Sequence, residues 1–442
     1  MSTDASPAGA LAKAVRSNDT RAVARVLDQH PELKVHLDDA LPDDAFGATP
    51  LLSAVHRDNR ELVDLLLGAG ANINVRSHWW AGGFGVLDHD GSLAPYLIER
   101  GATVDAFAAA RLGLLDRLAA LITADPGVVH ARGGDGQTPL HFARSVETAR
   151  FLLEHGADID ARDIDHESTP AQWMIRDRQD VARFLVSRGC HTDILMAAAL
   201  GDSGRVTRYL DDDPATLRTT VSDEYFPRKN PRSAGTIYNW TLGTGKTAHV
   251  IAREFRHEDI YRLLLERTPA PLRLAVSCEV GDEESVKALL GADPSLPQKL
   301  TPAELRKLPD AARDEQLTAV RLMLDAGWPP DVRGQHGATA LHWAGFHGDV
   351  ALTRELLRAR PPLEITDPEF NGTPLSWAIY GSVHGWRAKT GDYPGTVQAL
   401  LEAGATPPPV AADFPLSEAL RDLLRRRVNG ASGASGGAEP TP

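Results

Sequence analysis

The feature that most narrows what this chain can fold into is a phrase that keeps returning: an apolar pair or triplet, two residues, then Gly-Ala or a near relative. It reads LLLGAGA ending at Ala71, LIERGA at Ala102, LLEHGA at Ala157, LVSRGC at Cys190, MLDAGW at Trp328 and LLEAGA at Ala405. Gly70 and Gly101 stand 31 residues apart, Gly156 and Gly189 stand 33 apart. A period of that size marks a unit too small to bury its own apolar face, which must therefore pack on a copy of itself. The glycine marks a helix stop, because the residue there enters the left-handed region where a Cβ clashes. Upstream of it, Val63, Leu66 and Leu67, or Val181, Phe184 and Leu185, recur at helical spacing.

A second phrase opens the unit. It occurs as GATPLLSAV from Gly47, GQTPLHFA from Gly136, STPAQWM from Ser168, GATALHWA from Gly337 and GTPLSWAI from Gly372. Threonine suits a helix N-cap, and proline in the first helical turn loses no hydrogen bond. Small alanines let two antiparallel helices lie close. The unit is thus a turn, a short helix, a longer helix and a glycine stop.

This pattern resembles the ankyrin repeat, whose hallmark is a Thr-Pro-Leu-His-x-Ala helix start on a 33-residue period. The match is complete at Thr138, Pro139, Leu140, His141 and Ala143, and Ala340 replaces proline beside Thr339, Leu341, His342 and Ala344. Leu52, Gln172 and Ser376 hold the histidine position in other copies. A variant unit ends its longer helix at x-Pro, at His30-Pro31, Asp125-Pro126, Asp213-Pro214 and Asp293-Pro294. The resemblance implies an all-α solenoid of stacked antiparallel helix pairs, about a dozen units between Leu11 and Pro409. Residues 1–10 are expected to be disordered, residues 410–429 to form a capping helix on Leu416, Leu420, Leu423 and Leu424, and residues 430–442 to form a disordered tail.

Three segments break the repeat, and insertions in such arrays sit in loops. They lie near 76–91, 216–245 and 381–395. The first carries Trp79, Trp80 and Phe84; the second carries Tyr225, Phe226, Arg228, Lys229, Arg232, Tyr238 and Trp240; the third carries His384, Trp386, Arg387 and Tyr393. Aromatic and arginine side chains dominate binding hot spots, which makes these residues the candidate partner-binding set. Loops of this kind also plug gaps between imperfect repeats or build a small-molecule site, and the residue types leave all three readings open.

The formal net charge of −13, from 60 acidic and 47 basic residues, argues against a nucleic-acid-coating surface. Two cysteines, Cys190 and Cys278, permit no disulfide framework and no multi-thiolate metal site. The start MSTDASPAGALAKAV lacks a signal-peptide pattern, and no apolar run is long enough to span a bilayer, so a cytosolic location is expected. The abundance of alanine and arginine fits a GC-rich bacterial gene.

GTGKT at Gly243–Thr247 has Trp240 where a phosphate loop needs glycine, so Thr247 reads as a helix start. The acidic run Asp158, Asp160, Asp163, Asp165, His166 and Glu167 lacks the glycine and glutamate register of a calcium loop and reads as a solvated turn. No catalytic residue, metal ligand or cofactor is assigned. An enzyme on this scaffold would have to draw on His78, His89, His166, His191 and His384, which lie on separate loops. Because ankyrin repeats are mostly recognition modules, the family implies a non-enzymatic function, with another protein bound across the concave groove and the aromatic loops. An enzyme or small-molecule receptor is the alternative.

Overall fold

A computed structural model describes residues 6–89, 92–409 and 414–433, with the side chains of 426–433 outside the description. The chain is all-α, and among the described residues β-pairing is confined to the isolated bridges Thr220–Thr247 and Arg333–Thr339. It divides into two compact units, Met1–Ile251 and Ala252–Pro442.

The first unit stacks the pairs Pro7–Arg16 with Thr20–Gln29, Pro50–His56 with Arg60–Gly68, and Ala106–Leu112 with Leu115–Ala124. The stack continues through the short 3-10 helix Pro139–Phe142 with Val146–Glu154, Pro170–Met174 with Gln179–Ser187, and Ile194–Leu200 with Ser203–Asp212. Between the second and third of these pairs the outer helix Ala94–Glu99 stands without an inner partner. Residues 76–89, which lack a Thr-Pro start and hold three glycines, run as a loop where that inner helix would lie. This segment therefore replaces an element, whereas the sequence suggested an insertion.

The second unit stacks Ala270–Glu279 with Glu283–Ala292, Lys307–Arg313 with Leu317–Ala326, Ala340–His347 with Val350–Arg358, and Pro374–His384 with Tyr393–Ala403. The helix Glu418–Gly433 packs on the last pair, with Leu420 and Leu424 buried. It runs beyond residue 429, so 430–433, expected to be disordered, are helical; residues 434–442 lie outside the described residues. The expected disorder at the N-terminus gives way similarly, because Ser6 accepts from the Gly9 N–H and Pro7 opens a helix. Residues 1–5 lie outside the described residues.

The stops follow the physical reasons given for them. Gly70, Gly101, Gly156, Gly189, Gly327 and Gly404 all take positive φ. At Pro31, Pro126 and Pro214 the outer helix ends and a 3-10 turn starts on the proline. The Asp125 and Asp213 carboxylates there accept from the N–H groups of Gly127 and Ala215. Inner helices approach closely because the residues at the crossings are small: Ala12, Ala54, Ala109, Ala198, Ala275, Ala312, Ala344 and Ala378 have no solvent exposure. Among the described residues no helix is long and apolar enough to cross a membrane.

Candidate functional site

In the second unit, the helices Ala340–His347 and Pro374–His384 pack almost backbone to backbone. A Cβ on Gly345 would fall 2.6 Å from the Pro374 carbonyl oxygen, and one on Gly381 would fall 2.3 Å from that of Phe346. This closeness brings the rings on the open side of both helices together. Trp343 and Trp377 meet edge to face at 5.3 Å, and Phe346 lies 5.9 Å from Trp377. From the following segment Trp386 stacks on Trp343 at 6.0 Å and meets Phe346 edge-on at 5.4 Å. At the turn before the second helix, Phe370 lies 6.0 Å from Trp377. The result is an apolar groove of about 570 Å³, walled on its far side by Pro408, Pro409 and Phe414.

The groove is apolar and open. Trp386 is 70% exposed, Phe370 61% and Tyr380 54%, while Trp343 and Trp377 at its floor are buried. Trp377 donates its indole N–H to the Asp367 carboxylate at 2.8 Å, but the indole N–H of Trp343 has no acceptor among the described residues. Beneath the floor, His342 donates from Nε2 to the Gly372 carbonyl and accepts the Thr339 N–H at Nδ1. Burial pushes its imidazole down to about 4, so it is neutral at physiological pH.

The first unit holds a second cluster, built from two successive turns and the two long loops. Asp135 sits at the tip of the turn 134–136 with φ +54°, and its carbonyl accepts the N–H groups of Ile164 and Asp165 in the next turn. The segment 228–241 then folds over that second turn. Its Ala234 N–H and Ser233 hydroxyl donate to the Asp165 carbonyl, its Ile237 N–H donates to Ser168 Oγ, and the Gly235 carbonyl meets His166 Nδ1 at 3.1 Å. The acidic run is therefore not the solvated turn expected. Asp163, Asp165 and His166 are buried because a loop remote in sequence covers them. Asp163 still does turn work, accepting the N–H groups of His166 and Ser168. The Asp135 carboxyl is pushed up to about 7, first by burial and then by the nearby Asp165 and Asp163. Next to the cluster is a polar cavity of about 380 Å³ lined by Arg162, His166, Glu167, His191, Tyr225 and Arg228 among others.

The candidate residues divide between plugging and exposure. Trp79 and Phe84 pack edge-on against Phe46 at 5.2 and 5.5 Å, and Trp80 lies under the Arg232 guanidinium. Phe226 packs on Tyr238 at 5.3 Å, Arg228 pairs with Asp223 at 2.8 Å, and the Lys229 N–H donates to Glu167. Tyr225 and Trp240 are exposed, the latter at 59% with one edge on His166. His384 stacks on Tyr380, and Arg387 pairs with Glu315 at 2.8 Å.

Two expected surface residues are corrected. Tyr238 is fully buried, its hydroxyl donating to Asp193, and Tyr393 is buried with its hydroxyl on the Phe346 carbonyl. Tyr393 packs against Gly348, where a Cβ would fall 3.0 Å from its ring, and Tyr238 packs against Phe226. The third insertion is also shorter than expected, since helix Pro374–His384 and helix Tyr393–Ala403 leave only 385–392 between them.

Of the five histidines named from the sequence, His166 and His191 come together on one cavity, beside Glu167 and Asp193. His78 Nε2 lies 3.2 Å from the Asp38 carbonyl, and His89 stacks beside His56. Thr247 directly precedes helix Ala248–Glu254, as its reading as a helix start requires. Trp343, Phe346, Phe370, Trp377 and Tyr380 were not singled out from the sequence. A signal existed, because Phe142, Trp173, Trp343 and Trp377 each stand four residues after the opening threonine.

Residues 106–196 match the family model of ankyrin repeats in three copies, and residues 46–78 match that of the single ankyrin repeat. A stretch of 84 residues is 36% identical to the E3 ubiquitin-protein ligase XB3 of Oryza sativa subsp. japonica, covering 19% of this chain and 19% of that protein. The chain thus matches about a fifth of the length of that curated relative. Among solved structures, the human ASB11 ankyrin repeat domain aligns at 16% identity over 69% of this chain and 99% of that one, with a TM-score of 0.28. One chain of a complex between a predatory endopeptidase from Bdellovibrio bacteriovorus and an immunity protein aligns at 22% identity over 40% of this chain and 97% of that one, with a TM-score of 0.26.

Proposed function

Because the chain is an ankyrin-repeat protein, and ankyrin repeats are generally protein-interaction modules, we propose that it binds another protein through the aromatic groove of its second unit. The observation that carries this reading is the exposure of Trp386, Phe370 and Tyr380 around a floor of buried tryptophan. Large rings left in water around a preformed apolar groove are the usual anatomy of an interface centre. The groove suits an extended or helical segment that presents a few apolar side chains.

A photo-crosslinking residue placed at Tyr380 in the full chain tests this in the native host. The captured partner is purified and its affinity measured for the wild type and for the variant W386A/F370A. Loss of each large ring costs about 1–2 kcal/mol at an interface centre, so binding weakens by about 30-fold or more. Unchanged affinity in a variant with native helicity would sink the proposal.

The small-molecule alternative rests on the polar cavity beside Arg162, Arg228 and His191. The groove is favoured over it because Arg228 is already paired with Asp223 and Glu167 holds two backbone N–H groups. Those charges are spent on holding the loop.

A further inference from the structure

We propose that Asp135, Asp165 and His166 form a binding site for one divalent first-row transition-metal cation of the Zn²⁺ class. This is independent of the groove, which lies in the other unit.

All three side chains are more than nine-tenths buried, at 7%, 4% and 9% exposure, and one potential ligand atom from each lies within 4.8 Å of the others. The Oδ1 atoms of Asp135 and Asp165 have no hydrogen-bond partner. Buried carboxylate oxygens without a donor are rare, because each forfeits its hydration without replacement. The indole of Trp79 is close to Asp135 but closes no hydrogen bond with it.

The histidine is already set as a ligand. Its Nδ1 faces the Gly235 carbonyl at 3.1 Å, and a carbonyl can only accept, so Nδ1 carries the proton. Nε2 then turns its lone pair toward Asp135 Oδ2 at 3.9 Å and Asp165 Oδ2 at 3.8 Å. Those distances are too long for a hydrogen bond. They fit two ligands across a shared ion, since metal–ligand bonds of about 2.0–2.2 Å place neighbouring donors about 3–4 Å apart. The carbonyl-anchored ring is the support that metal-bound histidines generally have.

The donor set narrows the ion. One imidazole and two carboxylates, with no thiolate, suit Zn²⁺, Mn²⁺ or Co²⁺ better than Ca²⁺, which takes six to eight oxygens. Two carboxylates also cancel the charge of a divalent ion in a buried place. His166 also lines the polar cavity next to the cluster. Trp240 and Trp173 flank the ring at 4.7 and 5.1 Å.

The test uses the full chain, stripped with chelator and titrated with Zn²⁺ and, for its visible spectrum, with Co²⁺. The wild type is expected to take up about one equivalent per chain, to melt several degrees higher with Zn²⁺, and to give Co²⁺ bands of nitrogen–oxygen ligation. D135N and H166Q should lose all three, whereas H191Q in the neighbouring cavity should keep them. In chelator D135N should melt no lower than the wild type, because it removes one of two uncompensated carboxylates. That sign separates a ligand from a residue that merely supports the fold. Failure of the wild type to bind either ion stoichiometrically overturns the proposal, even if a variant misfolds. Binding that survives D135N and H166Q overturns it too.

Discussion

The guanidinium of Arg232 lies over the ring of Trp80, 4.5 Å from its centroid, and so joins two loops that are about 150 residues apart in sequence. An exposed cation–π contact contributes about 0.5–1 kcal/mol. A double-mutant cycle on R232A and W80A should return a coupling of that size. Amide exchange in 228–241 should rise in both single variants, and additive effects with unchanged exchange would show the loops to be held by other contacts.

His141 joins neighbouring units by donating from Nε2 to the Ser168 carbonyl while Nδ1 accepts the Thr138 N–H. Gln172 performs the second of these tasks one unit later, its Oε1 accepting the Thr169 N–H at 2.9 Å. H141A leaves a buried donor and a buried acceptor unpaired and should cost about 2–4 kcal/mol. H141Q keeps the acceptor and should cost clearly less in urea unfolding. Equal losses would mean that volume, and not hydrogen bonding, sets the requirement.

Burial holds the His342 imidazole at about 4, below the value of about 6.5 expected in an unfolded chain. Between those values the unfolded state binds the extra proton, so stability is full above about pH 7 and declines as pH falls toward 4, levelling off below. The contribution is about 3 kcal/mol. Urea midpoints across pH 4–8 should show this slope added to that of the similarly buried His141 and His56, and H342Q should reduce it. A slope unaltered in H342Q would place the effect on other groups.

Gly82 takes φ +132°, and a Cβ there would lie 2.1 Å from the Gly133 carbonyl oxygen. The Asp135 N–H also donates to the Gly82 carbonyl, so this backbone contact aligns the first loop with the acidic turn. G82A should destabilise the first unit by about 2 kcal/mol or more, from strain and forced separation together. A melting temperature within a degree of the wild type would show that the loop can shift without cost.

Burial pushes the thiols of Cys190 and Cys278 up to about 12. Neither should react with iodoacetamide at pH 8 in the native protein, and both should be labelled in denaturant. Mass spectrometry reads both states, and native labelling of Cys278 would indicate opening of the helix Ala270–Glu279.

The helix pairs were legible because their signals are local. A threonine cap, an x-Pro break or a Gly stop acts within one turn, and the capped ends at Thr49, Thr169 and Thr373 fall where the phrases place them. The roles of Tyr238 and Tyr393 were not legible, since whether a loop tyrosine faces water depends on what lies beneath it. The acidic run failed for the same reason: its burial comes from residues 228–241, which no local pattern connects to 163–168. The aromatic groove fell between these cases. Trp343 and Trp377 share a repeat position, but only the approach permitted by Gly345 and Gly381 turns two tryptophans into one surface.

The covering of Asp165 and His166 by the segment 228–241, with Trp80 and Gly82 drawn in from the other side, bears on how this chain can change. Arrays of similar units ordinarily lengthen or shorten by duplication or excision of single copies, because each copy meets only its neighbours. Here a stretch from about residue 76 to about residue 241 is bolted across several copies. Removing one internal copy would strand the bolt, so this portion must be inherited, transplanted or lost as a block.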